Sequence, residues 1–340
     1  MQYGPLGATG AKVSRISLGC EHITRQSHEE AIATIREAVD RGVNYFDALW
    51  PHAEYRDTIG KALSGLLSRV MVSAHISQPG ARDGRQSLES VEDFLRRVRT
   101  DHVDVAMIQY VQNADEYRAI VESDLLETLE QLKRQGKARF IGMSSHVPGV
   151  LIPAIQSGTI DIIMAPVNPC WCPAGVPQAC HESCRALVAM KPYHGGWFFH
   201  KPYSDIISPG GAISYAMSQP GVSTVLTGVK NRNELCTAVS YFALSESERN
   251  YSGVLEAIPR QLEGICVFCD HCLPCSAGID ITQVNQCVAL FDREQGGVSW
   301  YQSLSVKASA CTECGACVER CPLAVDIISH MKRAVQVFGV

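Results

Sequence analysis

The sequence contains no apolar run of the length that crosses a membrane as a helix, about 18 residues or more. Its first residues, MQYGPLGATGAKVSRISLG, lack the basic start and apolar stretch of a signal peptide. The net charge is only −5, which gives no strong attraction to nucleic acid or to an anionic membrane. We therefore expect a soluble, cytoplasmic protein that binds neither nucleic acid nor membrane.

The chain does contain enough apolar material for a large globular core. It has 340 residues, of which 46% are hydrophobic and 19% are charged. These fractions are typical of globular proteins. A chain of this length can bury one large core and carry a smaller appendage.

Cysteine is unusually abundant for a protein of a reducing compartment. There are fifteen cysteines, and eight of the nine from Cys266 to Cys321 are closely spaced. Four more lie between Cys170 and Cys184. In the cytoplasm such clustering indicates metal binding or catalysis rather than disulfide bonds.

Short β-branched runs alternate with amphipathic segments from residue 13 to about residue 243. One such segment begins with Ser27 and Glu30 in capping-box spacing, repeats apolar residues at helical spacing and stops at Gly42. Residues 87–100, 124–138 and 231–243 behave in the same way. The strands that we predict between the helices are 13–20, 43–48, 69–76, 103–110, 139–146, 160–168, 186–192 and 223–229.

Eight strands that are each followed by a helical segment predict a parallel sheet with right-handed crossovers. We expect the sheet to close into a (β/α)8 TIM barrel. A doubly wound open sheet is the alternative, but that fold more often shows a glycine-rich fingerprint after its first strand. Residues 17–25, SLGCEHITR, contain no such fingerprint.

The composition changes abruptly at Cys266, after which cysteine triplets alternate with helical segments. We place the domain boundary near residue 255. This predicts a barrel over residues 1–254 and a mainly α-helical, ferredoxin-like iron–sulfur domain over residues 255–340.

The eight clustered cysteines form two runs of four. Two residues separate successive cysteines in both runs, except that three residues separate Cys317 from Cys321. In proteins with two [4Fe–4S] clusters, three cysteines of a run bind one cluster and the fourth binds the other. We predict a first cysteine set and a second cysteine set, one for each cluster. The first set consists of Cys266, Cys269, Cys272 and Cys321. The second set consists of Cys311, Cys314, Cys317 and Cys275.

Structural zinc is the alternative, although zinc sites typically use two cysteine pairs separated by a longer gap. Two clusters in one small domain indicate electron transfer, one electron at a time; a purely structural role is the other interpretation.

Several motifs together resemble those of the aldo/keto reductase family. They are NYFDA with Gly60 in IGKAL, GKARFIGMSSH, VAMKP and STVLTGVKNRNEL, and the resemblance covers residues 3–245. The C-terminal region is similar to the helical ferredoxin domain that one branch of this family carries. The resemblance implies hydride transfer between NAD(P)H and a carbonyl at the C-terminal mouth of the barrel.

The family uses a tetrad of Asp, Tyr, Lys and His, in which the tyrosine protonates the developing alkoxide. Lys and Asp lower the pKa of that tyrosine, and the histidine orients the carbonyl. Carried over by position, Asp47 matches, whereas His52, His75 and Gln109 occupy the Tyr, Lys and His positions. Tyr55 and Tyr110 are displaced from the family positions, and a shift of one residue on a strand reverses the face of the side chain.

The nucleotide end also departs from the family pattern. Met164 takes the place of the glutamine that holds the nicotinamide. The resemblance implies that the adenosine phosphate of NADPH binds at four residues near the last strand; a solvated helix start is the alternative. These residues are Gly228, Lys230, Arg232 and Glu234.

Soft or imidazole groups follow several predicted strands, and strand ends converge on one mouth in this barrel. They are Cys20, His22, His52, His75, His146 and Cys170. Such groups ligate metals or transfer protons, so we consider a further metal or cluster at the mouth. Cys170 and Cys172, near Cys180 and Cys184, could instead receive electrons, form a redox disulfide or pack as small apolar residues.

Our first hypothesis is an oxidoreductase whose two clusters pass electrons to a small-molecule substrate at the mouth. Asp47 would raise the pKa of His52 and His75, which would donate protons, while Gln109 and Lys191 would position the substrate. Ferredoxin, flavodoxin or NADPH would supply the electrons. The other hypotheses are an NAD(P)H-dependent carbonyl reductase with His52 as general acid, and a non-catalytic electron-transfer subunit.

Overall fold

The computed structural model describes residues 1–23, 26–77, 83–111 and 113–339. The chain divides into two compact units. The first unit comprises Met1–Asn168 and Cys172–Tyr251, and the second comprises Pro169–Trp171 and Ser252–Val340.

Eight parallel strands of the first unit close into a barrel. They are β3 (Ile16–Gly19), β4 (Tyr45–Ala48), β5 (Met71–Ser77), β6 (Val103–Ile108), β7 (Ala138–Ser144), β8 (Ile162–Pro166), β9 (Ala186–Met190) and β10 (Val222–Gly228). They pair in chain order, and β10 returns to β3. All eight predicted strands and the barrel are confirmed, and the doubly wound open sheet is excluded. Before the barrel, β1 (Tyr3–Pro5) and β2 (Lys12–Ser14) form an antiparallel pair.

Helices follow the strands and cover the outside of the barrel. They are α1 (His28–Asp40), α2 (Ala53–Leu63), α3 (Gly84–Val98), α4 (Ala114–Glu122), α5 (Leu125–Arg134), α6 (Pro148–Ser157), α7 (Val176–Glu182), α8 (Pro209–Ser218), α9 (Arg232–Val239) and α10 (Glu246–Arg249). The side chain of Ser27 caps α1 by accepting a hydrogen bond from Glu30 N at 3.2 Å. Gly60 lets α2 approach α3 closely, since a Cβ atom there would lie 2.6 Å from Arg97 O.

The barrel strands are buried on both faces, which explains why they read as continuous apolar runs. The larger core cluster lies between the strands and the helices and includes Phe46, Ile108 and Ile141. A smaller cluster includes Tyr45 and Met107. These residues alternate along their strands with those of the larger cluster, so they lie on the other face of the sheet, inside the barrel. The lower part of the barrel is therefore a packed core.

The second unit is helical, and no strand occurs among its described residues. Its helices are α11 (Val254–Gln261), α12 (Ile281–Glu294), α13 (Val298–Ser303), α14 (Ala316–Glu319) and α15 (Ile327–Phe338). Tyr301 of α13 stacks on Phe338 of α15, with ring centroids 4.5 Å apart. None of the helices in the described part of the chain has the length and apolarity that a membrane span requires.

Candidate functional site

A buried aspartate–histidine pair lies at the C-terminal ends of two adjacent barrel strands. Asp47 is on β4 and His75 is on β5, and the two strands pair in parallel register. His75 Nε2 lies 3.1 Å from Asp47 Oδ1, and the two side chains are 2% and 7% exposed. His75 Nδ1 is also buried and has no hydrogen-bond partner among the described residues. The pair therefore combines a fixed carboxylate with an imidazole that can exchange a proton.

Two further groups lie next to Asp47. The backbone N–H of Cys20 donates to Asp47 O at 3.0 Å. The hydroxyl of Tyr55 accepts a hydrogen bond from Leu49 N at 2.9 Å. Burial, followed by the nearby Cys20 and Asp47, holds the pKa of Tyr55 well above its usual range. Burial and Asp47 likewise raise the pKa of Cys20 above its usual value.

His52 does not join this pair. It is exposed at the N-cap of α2, and its ring stacks on Trp50 with centroids 6.0 Å apart. Within the described part of the chain, no hydrogen bond or ion pair connects it to Asp47 or His75. Two histidines were predicted to donate protons. Among the described residues, only His75 contacts Asp47, the aspartate that matches the family tetrad.

A second polar group forms at the ends of β6, β7 and β9. Gln109, which follows β6, is buried. The ring of Tyr110 meets that of His146 edge-on, with centroids 4.7 Å apart. Burial, followed by the charge of Lys191, holds the pKa of His146 well below its usual range. The structure thus places three of the predicted mouth residues, Gln109, His146 and Lys191, at strand ends where they could contact a substrate.

The predicted nucleotide residues lie at the end of β10 and the start of α9. Gly228, Lys230, Arg232 and Glu234 are all exposed. Glu234 Oε2 accepts from Lys230 N at 2.8 Å, and Asn231 Oδ1 accepts from Glu234 N at 3.0 Å. Glu234 therefore helps to cap α9, which leaves Lys230 and Arg232 as the cations available to an anion at this helix start.

The four cysteines from Cys170 to Cys184 do not form one group. Cys170 belongs to the second unit, where burial and Cys269 raise its pKa to about 12. Cys172 belongs to the first unit, and its pKa is raised by burial. Cys180 is buried, Cys184 is exposed, and no disulfide forms within the described part of the chain.

The two predicted cysteine sets line two separate cavities of the second unit. Cys266, Cys269, Cys272 and Cys321 line one cavity. Cys275, Cys311, Cys314 and Cys317 line the other. Each cavity therefore combines three cysteines of one run with the fourth cysteine of the other run.

Backbone and side-chain groups donate hydrogen bonds to these sulfur atoms. Val325 N donates to Cys321 Sγ at 3.5 Å, and Glu313 N donates to Cys311 Sγ at 3.4 Å. Asn285 Nδ2 donates to Cys266 Sγ at 3.2 Å. Donors of this kind stabilise thiolate ligands and tune the metal that they hold.

No group of three or more His, Cys, Asp or Glu side chains among the described residues converges on a single metal-ion position. This holds for the barrel mouth, where a further metal was considered, and for both cysteine sets. In a cubane cluster each cysteine binds a different iron, so its four sulfur atoms surround a volume rather than one ion. Four cysteines around a cavity fit that arrangement.

Sequence reasoning missed two contributors. The family motif places Tyr55 outside the tetrad, yet it shares the buried face of α2 with Ile59 and Ala62, a spacing that the sequence shows. No motif marks Asn285, because its contact with Cys266 depends on how α12 packs. The sequence signal for this contact is a comparison of the segments after the two cysteine runs, in which Asn285 occupies the position of Met331.

The first unit is similar to known proteins in sequence and in fold. A family model described as the aldo/keto reductase family matches residues 15–211. L-galactose dehydrogenase of Arabidopsis thaliana is 26% identical over an alignment of 205 residues, which covers 55% of this chain and 60% of the plant protein. The oxidoreductase YqkF of Bacillus subtilis is 24% identical over 64% of this chain and 74% of its own length.

A solved structure also matches. The aldo-keto reductase AKR11C1 from Bacillus halodurans, in its holo form, superposes with a TM-score of 0.65 at 21% identity. The match covers 74% of this chain and 95% of that one. The residues matched by the family model end before the cysteine-rich region begins at Cys266.

Proposed function

We propose that this chain, which belongs to the aldo/keto reductase family and is an oxidoreductase of that type, is also an iron–sulfur enzyme. Two [4Fe–4S] clusters, held by the first and second cysteine sets, would supply two electrons, one at a time, for the reduction of a carbonyl compound to its alcohol at the barrel mouth. Ferredoxin or flavodoxin is the proposed electron donor.

The observation that carries this proposal is the pairing of each cavity with three cysteines of one run and one of the other. Paired zinc sites would not require the fourth cysteines to cross between runs. Arg320 supports the arrangement, since its guanidinium donates to the carbonyls of Cys272 and Pro274 at 2.6 and 2.7 Å. Arg320 directly precedes Cys321, so this contact connects the end of the first cysteine run to the last cysteine of the second run.

At the barrel mouth we assign proton donation to His75 rather than to His52. His75 is buried and anchored by Asp47, whereas His52 is exposed and stacked on Trp50. The contact with Asp47 fixes the orientation of the imidazole ring. Lys191 would bind an anionic part of the substrate, and burial, followed by the charge of Lys191, lowers the pKa of the neighbouring His146.

The test is the reaction of reduced protein with substrates. Protein reduced anaerobically with dithionite and freed of excess reductant is mixed with a panel of aldehydes and ketones, and reoxidation is followed by visible absorbance. We expect at least one carbonyl compound to reoxidise the protein and to be converted to its alcohol. Reoxidation by no member of the panel, with iron present, would contradict carbonyl reduction as the activity.

A conventional NAD(P)H-dependent carbonyl reductase is the second candidate. The exposed cations Lys230 and Arg232 at the start of α9 favour it, because helix starts bind phosphate groups. Arg232 Nε lies 3.7 Å from Glu30 Oε1, an exposed contact that a phosphate could replace at little cost.

If this nucleotide site exists, Arg232→Ala should weaken NADPH binding by about tenfold and leave NADH binding unchanged. A hydrogen bond to a charged group contributes about 1.5–3 kcal/mol, and the residue would contact only the adenosine phosphate. Fluorescence titration measures both affinities, with Arg85→Ala as the control because Arg85 is an exposed cation on α3. Absence of NADPH binding to the unaltered protein would eliminate this candidate.

A further inference from the structure

The segments that follow the two cysteine runs are structural counterparts. Asp280 comes five residues after Cys275, and Asp326 comes five residues after Cys321. Asp280 caps α12 by accepting from Gln283 N at 2.9 Å, and Asp326 caps α15 by accepting from Ser329 N at 3.0 Å. The two helices therefore begin at the same point after their runs, and their residues can be compared position by position.

Counterpart residues of the two helices line the two cavities. Thr282 and Asn285 of α12 line the cavity of the first set. Ile328 and Met331 of α15, at the equivalent positions, line the cavity of the second set. Residues three apart on a helix share a face, so each pair presents its side chains to one cavity. At these two helix positions the side chains are polar in the first cavity and apolar in the second, where Ser276 Oγ lies 3.8 Å from Cys314 Sγ.

Asn285 is the stronger of the two polar groups. It is 3% exposed, and its Nδ2 donates to Cys266 Sγ at 3.2 Å. Thr282 Oγ1 is farther from its sulfur, 3.8 Å from Cys272 Sγ. His330 Nδ1 lies 3.3 Å from Asn285 Oδ1, so the imidazole N–H occupies the acceptor side of the amide. With its oxygen engaged by His330, the amide must direct its N–H groups toward the sulfur.

We propose that Asn285, oriented by His330, raises the reduction potential of the cluster held by the first cysteine set, so that the two clusters are inequivalent. This inference rests on the proposed function. Reduction adds negative charge to the cluster and its thiolates, and a hydrogen bond to a thiolate sulfur stabilises the reduced form more than the oxidised form. Met331 offers no such donor to the second set.

The counterpart residues give a reciprocal test. Anaerobic Asn285→Met and Met331→Asn proteins are titrated against dithionite at poised potentials, and the reduced clusters are quantified by electron paramagnetic resonance. Asn285→Met should lower the midpoint reduction potential of the first-set cluster. We expect the equilibrium constant for its reduction to fall about tenfold, which is about 59 mV for one electron. Met331→Asn should raise the midpoint of the second-set cluster. His330→Val, which installs the counterpart residue Val284, should produce a smaller fall than Asn285→Met.

Iron content separates the possible failures. Unaltered protein without iron would refute the proposed function itself. Unaltered protein with both clusters, and unchanged midpoints in both variants, would overturn the role of Asn285 while the proposed function stands. If Asn285→Met protein loses its first cluster, Met331→Asn decides: a raised second-set midpoint supports the inference, and an unchanged one overturns it.

Discussion

Replacing His75 by glutamine is expected to slow reoxidation of the pre-reduced protein by its most reactive carbonyl compound by about 10²- to 10⁴-fold. Glutamine can still donate a hydrogen bond to Asp47 in place of Nε2, which lies 3.1 Å from Oδ1. It cannot release a proton near neutral pH, so this substitution removes proton donation while it keeps the buried carboxylate partnered. Stopped-flow absorbance measures the rate, and circular dichroism and iron content establish that the variant is folded and loaded.

Two other histidines make the experiment specific. His102 lies beside Asp101 at the N-terminal end of β6, on the opposite side of the barrel from the C-terminal strand ends. We therefore expect that His102→Ala does not change the rate. His52→Ala should also have little effect, because the ring is exposed and stacked on Trp50. A loss in His52→Ala as large as that in His75→Gln would return the proton-donating role to His52. An unchanged rate in both variants would contradict a proton-donating role for either histidine.

Replacing Cys311 by serine is expected to remove about half of the bound iron, from about eight to about four atoms per chain. Cys311 lines only the cavity of the second set, so the cluster of the first set should remain. Metal binding contributes free energy to folding, so we also expect the second unit to unfold at a lower temperature. Iron analysis and electron paramagnetic resonance of the reduced protein measure the loss.

Cys184→Ser is the matched control, because Cys184 is exposed and lies outside both sets. It should leave iron content and the resonance signals unchanged. Loss of all iron in Cys311→Ser would show that the two sets do not bind independently. Zinc in place of iron in the unaltered protein would support the structural alternative.

The barrel was predictable because its signal is periodic and repeated eight times. Strands such as Ile162–Pro166 are apolar throughout, and the intervening segments carry apolar residues at helical spacing. The ends of the strands also indicated where Asp47 and His75 would meet, since adjacent parallel strands end at the same edge. Register within a sheet follows from the sequence once the strand order is known.

The residues around Asp47 were less predictable because they depend on how the chain leaves β4. His52 falls at the N-cap of α2 and faces solvent, while Tyr55 falls one turn later on the buried face. Counting along the sequence from the family motif places His52 at the tyrosine position of the tetrad. The point at which α2 begins instead directs the side chain of Tyr55, and not that of His52, toward the protein interior. A loop between strand and helix has no periodic signal that would fix this choice.

The cysteine sets show the opposite case. Spacing alone predicted which cysteine crosses from one run to the other, and the two cavities have those same linings. The contact between Asn285 and Cys266 had no such motif, since it requires α12 and α15 to pack so that His330 meets the amide. Tertiary packing determines that contact, and the sequence shows it only once the two runs are compared.

The most direct measurement is the iron and acid-labile sulfide content of the unaltered protein purified without oxygen, together with its resonance spectrum after reduction by dithionite. We predict about eight irons and about eight sulfides per chain, with signals from two reduced [4Fe–4S] clusters. Iron near zero, or stoichiometric zinc without sulfide, would contradict the assignment of the two cysteine sets and the function built on it.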